Sequence, residues 1–315
     1  MKKDKFCHLH NHTEYSQLDG FGTAVKYAEK ALKNKQEYLA CTDHGNIDGL
    51  IKFQSACDSV GIKPILGCEG YIVNEWSKEA KRGHISIWIK NRKGFKNLSR
   101  ILTIANIDGF YYKPRIDFKT LLDHLDGLVI GTACLQSFIN LPGGEELFHK
   151  IHKRIKDDLY LEVMPHDIKK QRKINRKIIR LSRKTGVKII VTNDCHYINK
   201  GDWKTHEVLL AIQRKALWDD PNRWRFNIKG LYLKKTKEMI KSMKDEKIFN
   251  PEYLANTIEL AEKCCNFRIP KKKIRLPHIP GISSNTKGEN KFFFNLCEKG
   301  FKKKFKDKEF NVSNE

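Results

Sequence analysis

At 315 residues, with 40% hydrophobic and 31% charged side chains, the chain holds enough apolar material for one large core, or one large and one small. Its 61 Lys and Arg against 37 Asp and Glu leave a formal charge of +24, which points to a polyanion, nucleic acid first; a Lys-rich composition from AT-rich coding gives the same total with no partner. The basic start lacks the apolar stretch of a signal peptide, and no run approaches the ~20 apolar residues of a membrane span, so a cytoplasmic protein without membrane contact is expected.

In chain order, apolar β-branched runs at 6–9, 38–41, 65–68, 128–130, 160–163 and 189–191 predict strands. Helical patterns at 23–32, 49–60, 95–104, 145–155 and 170–184 fall between them. Alternation at this spacing argues for a parallel βα barrel, closed or nearly so, rather than an open doubly wound sheet. No G-x-G-x-x-G follows the first strand and no P-loop is present, which removes the usual support for a nucleotide cofactor. The barrel is expected over 1–233. A helical extension follows over 234–270, where Asn250 caps and Pro251 opens the second helix. Residues 271–290, with Lys271-Lys272-Lys273, Pro277, Pro280, Gly281, Ser283 and Ser284, read as a basic linker. Residues 291–315 then begin a helix whose apolar positions are Phe292, Phe293, Phe294, Leu296, Cys297, Phe301 and Phe305.

The nine cysteines form no C-x-x-C, which argues against a zinc ribbon or redox motif and for buried free thiols in a reducing compartment. The metal-ligand residue types are placed otherwise. His8 and His10 end the first run, His44 follows the second, Glu69 the third, Cys134 a later one, and Asp194 and His196 the last; His84 alone begins a run. His8 and His10 alternate around Leu9, and Asp194 and His196 around Cys195, so each pair shares one face of its strand. Active groups of βα barrels collect at the carboxyl ends of strands, where the loops converge. A single strand-end His is more often a partner in a polar cluster than a ligand. Coincidence at one end of one barrel is what favours a metal site.

His8-Leu9-His10-Asn11-His12-Thr13-Glu14-Tyr15-Ser16-Gln17-Leu18-Asp19-Gly20 resembles the opening of the PHP (polymerase and histidinol phosphatase) domain. Thr42-Asp43-His44-Gly45-Asn46, Gly67-Cys68-Glu69, His84 with Asn91-Arg92-Lys93-Gly94-Phe95-Lys96-Asn97-Leu98, and Thr192-Asn193-Asp194-Cys195-His196-Tyr197 are similar, in order, to the branch found at the N-terminus of bacterial DNA polymerase III alpha subunits. The resemblance implies a distorted (β/α)7 TIM-like barrel with a C-terminal helical extension, and three divalent metal ions (zinc, manganese or iron). Position by position, it implies the ligands His8, His10, Asp19, His44, Glu69, His84, Cys134, Asp194 and His196. His12, Asp43 and His166 are expected beside them in supporting catalytic roles, with Asp43 placed to orient a ligand histidine.

The implied chemistry is hydrolysis of a phosphate ester by metal-activated water, and with polymerase parentage a proofreading 3′–5′ exonuclease acting on DNA ends, single-stranded or primer–template. The sequence has no Asp-x-Asp for a polymerase palm, so a fragment, a split polymerase or a stand-alone descendant is expected. A second chain carrying the palm, docked through the aromatic tail helix, and other replisome subunits are the expected partners. The rival readings are a non-catalytic docking module of the polymerase and a histidinol-phosphate-type phosphatase. The polymerase-like segments at 91–98 and 252–264 count against the last.

Overall fold

The apolar runs form strands, and the amphipathic stretches form helices outside them, in the computed structural model, which describes residues 5–226, 228–270, 279–282 and 285–305. Most of the linker expected over 271–290 therefore lies outside the described residues. Thr23 caps α1 (Ala24–Lys33) by accepting from the Lys26 N–H, and β1 (Tyr38–Cys41), α2 (Leu50–Ser59) and β2 (Lys63–Val73) follow. Then come β3 (Gly83–Ile89), α3 (Arg92–Ile107), β4 (Arg115–Asp117), α4 (Phe118–Asp123) and β5 (Leu128–Gly131). The barrel continues through α5 (Gly144–Ile155), β6 (Leu159–Val163), α6 (Lys169–Thr185), β7 (Ile189–Val191) and α7 (Trp203–Gln213). Beyond it lie α8 (Thr236–Asp245) and α9 (Pro251–Cys264), the latter capped by Asn250 with proline in its first turn.

Six strands run in the order β1-β2-β3-β5-β6-β7, and β4 pairs with β2 off this path. Residues 6–12 close the ring. On one side Ala40 donates to the His8 carbonyl at 3.0 Å; on the other Cys195 donates to the His10 carbonyl at 3.0 Å and His12 to the Cys195 carbonyl at 2.8 Å. The result is a distorted seven-membered βα barrel. Its irregularity is β3, which is antiparallel to both β2 and β5. The connection over 74–82 is too short for the crossover of a dozen or more residues that a parallel neighbour needs. The antiparallel sense brings the beginning of β3 to the rim where its neighbours end, with His84 opposite Tyr71. That accounts for the one ligand-type residue that starts a strand.

Inside the ring Leu9, Ala40, Ile65, Trp88, Val129, Tyr160 and Ile190 pack together, and Ile258, Leu260, Ala261 and Cys264 of α9 join the same cluster. Polar contacts fasten α9 there. Asn256 donates to the Ile189 carbonyl, Thr257 accepts from the Cys7 N–H, and the Tyr160 hydroxyl donates to Glu259. Since Cys7, Tyr38 and Ile189 begin their strands, α9 plugs the amino end and leaves the carboxyl end for the site. Packing is close elsewhere too. A Cβ on Gly94 would lie 1.9 Å from the Gly127 carbonyl oxygen, where α3 meets the loop before β5. Gly94→Ala is therefore expected to cost about 1–3 kcal/mol by overpacking, read as a shifted urea midpoint at unchanged slope.

The chain divides into two compact units, Met1–Ile269 and Pro270–Glu315, so α8 and α9 belong with the barrel. The second unit carries α10 (Thr286–Lys304), capped by Asn285 and exposing Phe293, Phe294, Leu296 and Phe301. Among the described residues no helix is long and apolar enough to cross a membrane.

Candidate metal centre

At the carboxyl rim the strand ends bring eight histidine and carboxylate side chains into one cluster. Glu69, wholly buried on β2, is its hub. Its Oε1 lies 3.2 Å from His10 Nε2 and 3.1 Å from His84 Nδ1, and its Oε2 lies 2.8 Å from His44 Nδ1 and 3.6 Å from His12 Nε2. Asp194 Oδ1 stands 3.4 Å from His10 Nε2 and 3.0 Å from His12 Nε2. Asp19 faces them from the loop before α1, with Oδ2 3.3 Å from His44 Nε2 and Oδ1 3.6 Å from His196 Nε2. The Cys134 thiol is 3.3 Å from His84 Nδ1. Two rim residues hold left-handed backbone, Ala133 at φ 55° and Asp194 at φ 49°, strain of the kind that persists where surroundings over-determine a functional geometry.

The surroundings fix how the rings present their nitrogens. Glu162 accepts from His10 Nδ1 at 3.1 Å, from the Thr192 hydroxyl at 2.9 Å and from the Ala133 N–H at 2.7 Å, which turns the Nε2 lone pair of His10 toward Glu69. Ser16 gives its hydroxyl proton to Asp43 and accepts from His12 Nδ1 at 3.1 Å, so His12 too offers Nε2. His196 Nδ1 donates to the Asp194 carbonyl at 2.8 Å, which leaves its Nε2 facing Asp19.

These residues fit a cation. His10 Nε2, His44 Nδ1 and both Glu69 oxygens are buried without a hydrogen bond, although they approach one another within 2.8–3.2 Å. Buried polar atoms left this way are costly unless something else satisfies them, and converging imidazole and carboxylate lone pairs are what a metal ion satisfies. Four overlapping triads have ligand atoms within 4.8 Å of one another: His12–His44–His196, His10–His12–Glu69, Asp19–His196–His206 and His44–Glu69–His84. Electrostatics show the same pressure toward positive charge. Burial alone would lower His10 and His44, but the Glu69 carboxylate, joined by Asp194 at His10, holds both well above the usual histidine range. Burial would raise Glu69, but His84, His10 and His44 hold it well below the carboxylate range. Burial, then Glu69, pushes the Cys134 thiol far up.

Of the nine expected ligands, the structure brings together His10, Asp19, His44, Glu69, His84, Asp194 and His196, with Cys134 beside His84. His8 stands apart, a departure from the expected set. Its Nε2 donates to the Lys234 carbonyl at 2.9 Å and its Nδ1 meets the Cys195 thiol at 3.4 Å; burial lowers it to about 3, so it is a neutral, satisfied core histidine. His12, expected in a supporting role, takes the inward place instead. Asp43 touches no ligand-type histidine and acts through Ser16 and Thr13. His166 lies outside the cluster, 3.2 Å from the Asn193 carbonyl. Two contributors escaped the sequence reading. Glu162 showed only as a lone carboxylate in an apolar strand, and His206 of α7, 3.3 Å from Asp19 Oδ1, carried no local signal.

A βα barrel with a cluster of histidines and carboxylates fit for divalent metal at its carboxyl rim is the class that fold and site define. Residues 8–166 match the PHP domain, and the chain belongs to that family. It is 35% identical over 307 residues to DNA polymerase III subunit alpha of Thermus aquaticus, covering 91% of this chain and 25% of that one. The Helicobacter pylori subunit is 37% identical over 286 residues (84% and 23%), and the Borreliella burgdorferi subunit 35% over 324 residues (97% and 27%). The chain thus spans about a quarter of the length of the curated relatives it matches.

Proposed function

We propose that this chain is a metal-dependent phosphodiesterase that shortens the 3′ ends of DNA. The observation that carries the reading is the buried Glu69 carboxylate, unsatisfied at both oxygens and ringed by the nitrogens of His10, His12, His44 and His84. Those residues, with Asp19, Cys134, Asp194 and His196, are the ones that would hold divalent ions, and mixed imidazole, carboxylate and thiol donors suit zinc, manganese or iron better than magnesium. When bound, such ions supply charge to stabilise a phosphoryl oxygen and acidity to activate water near neutral pH. The protein's own part is to hold the donors in fixed tautomers through Glu162, Ser16–Asp43 and the Asp194 carbonyl. It also gathers cations at the mouth. Tyr71 stacks 5.7 Å from His44, and the Arg82 guanidinium and Lys113 ammonium lie 4.9 and 5.6 Å from its ring centre, with no carboxylate partner among the described residues. Cations so placed can take the nonbridging oxygens of a nucleic-acid backbone.

DNA as the substrate is supported by the relatives, which are DNA polymerase III alpha subunits, and by the charge of +24. A palm-bearing polypeptide and replisome subunits are the further partners this reading names. The test is a 5′-labelled oligonucleotide incubated with the chain and manganese. A ladder shortening from the 3′ end is expected. Arg82→Ala should raise KM about threefold to tenfold and flatten the salt dependence by about one unit of log–log slope. Full metal loading with every DNA end intact would contradict the proposal and leave a docking module.

A further inference from the structure

Beside the metal centre, the loop after β6 and the chain from α7 to α8 enclose a cavity of about 890 Å³, within the roughly 300–1,000 Å³ typical of small-molecule sites. It adjoins the cluster directly: the Phe226 ring, on its wall, stands 5.9 Å from His196 and 6.0 Å from His206. Trp203 and Phe226, both half-buried, pack on Tyr197, Leu231 and Tyr232 and line the space. A buried clamp holds this wall. Glu207 pairs with Arg223 at 3.0 Å and accepts the Phe226 N–H at 3.0 Å, and Arg223 donates to the Trp218 carbonyl. The charges facing the cavity are unevenly paired. Glu207 is paired with Arg223, and Asp167 and Glu246 share Arg172; Asp245 has no basic partner, and Lys200, Arg225, Lys229 and Lys234 have no carboxylate partner, among the described residues. The Lys229 ammonium lies 4.2 Å above the Trp203 ring, so cation and aromatic face are presented together.

Aromatic faces interleaved with unpaired cations, one ring's breadth from a phosphodiesterase centre, make a nucleobase subsite. We propose that this cavity receives the 3′-terminal base of a single-stranded DNA end, which stacks on Trp203 and Phe226 while Lys229 and Arg225 take the adjoining phosphate. The stack recognises any base, because every base offers a π-face. It places the unpaired end beside the cluster, and a terminal base kept in a duplex does not enter. The proposal rests on the reading of the centre as acting on DNA ends.

Binding and turnover test it separately. With no metal added, an oligonucleotide carrying 2-aminopurine at its 3′ terminus should be quenched on binding, and the same base at an internal position should not. Trp203→Ala should weaken the terminal quench by about tenfold to a hundredfold, the usual range for removing one stacking platform. With manganese, Trp203→Ala should lower kcat/KM on a natural 3′ end mainly through KM, and leave an abasic 3′ end unaffected. Lys229 is exposed, so Lys229→Ala tests the cavity free of folding effects, and it should weaken binding and flatten its salt dependence by about one unit of slope. Equal losses on natural and abasic ends, or a quench indifferent to base position, would overturn the subsite. Terminal quenching without hydrolysis would support the subsite and remove the hydrolytic reading. Hydrolysis with wild-type quenching in both variants would remove the subsite alone.

Discussion

Glu69→Gln is expected to strip the centre of bound metal and to reduce hydrolysis at least about a hundredfold, the largest effect of any single substitution at the site. The argument is geometric. Between them the two Glu69 oxygens lie within 3.6 Å of four imidazoles, two to each oxygen, and neither makes a hydrogen bond. An amide keeps the volume, removes the charge and turns an N–H₂ toward nitrogens that need a cation. In the native chain, manganese at about a hundredfold excess over its dissociation constant should add about 2.7 kcal/mol, a rise of roughly 4–5 °C in melting temperature for a chain of this length. In Glu69→Gln that rise should vanish, and elemental analysis should find metal below the native content. An unchanged metal-induced shift would remove Glu69 from the centre.

Glu162→Gln should weaken metal binding about tenfold to a hundredfold while leaving the fold intact. Glu162 does not meet the other carboxylates; it acts on His10. As a carboxylate it accepts from His10 Nδ1, which leaves Nε2 a lone pair directed at Glu69. A glutamine can still accept the Ala133 N–H with its carbonyl, but its amide then points at His10 and favours the tautomer with a proton on Nε2. Calorimetric titration with manganese reads the loss, and a far-ultraviolet spectrum identical to native separates it from misfolding. Native affinity in Glu162→Gln would mean that the tautomer of His10 is set elsewhere, with Ser86, 3.4 Å from Nδ1, the nearest alternative.

The barrel was legible because its strands are apolar runs and its helices keep a helical period, and each run read from the sequence lies in a strand or in the closing segment 6–12. Helix ends moved by a few residues, most at α3, which begins at Arg92 because Asn91 caps it. The metal centre was legible at strand ends for the same reason the chemistry collects there. What periodicity could not supply was height. His8, His10 and His12 alternate correctly, but two residues advance a strand by about 6.6 Å, enough to drop His8 below the cluster into reach of Lys234 and Cys195 while His12 rises into it. Nor could it find contacts made across the fold. His206 enters only because α7 folds over the mouth, and Glu162 matters only because β6 neighbours the loops of Ala133 and Thr192. The cavity wall between α7 and α8 showed in the sequence as no more than the expected boundary between barrel and helical extension at 233–234.

The most direct test of the central claim is anomalous diffraction at the manganese edge from crystals of the native chain grown with manganese. Peaks among Glu69, His10, His12 and His44, and between Asp19 and His196, with His8 uncoordinated, are the expected result. No peak within the cluster at full manganese occupancy in solution, or an ion bound at His8, would contradict it.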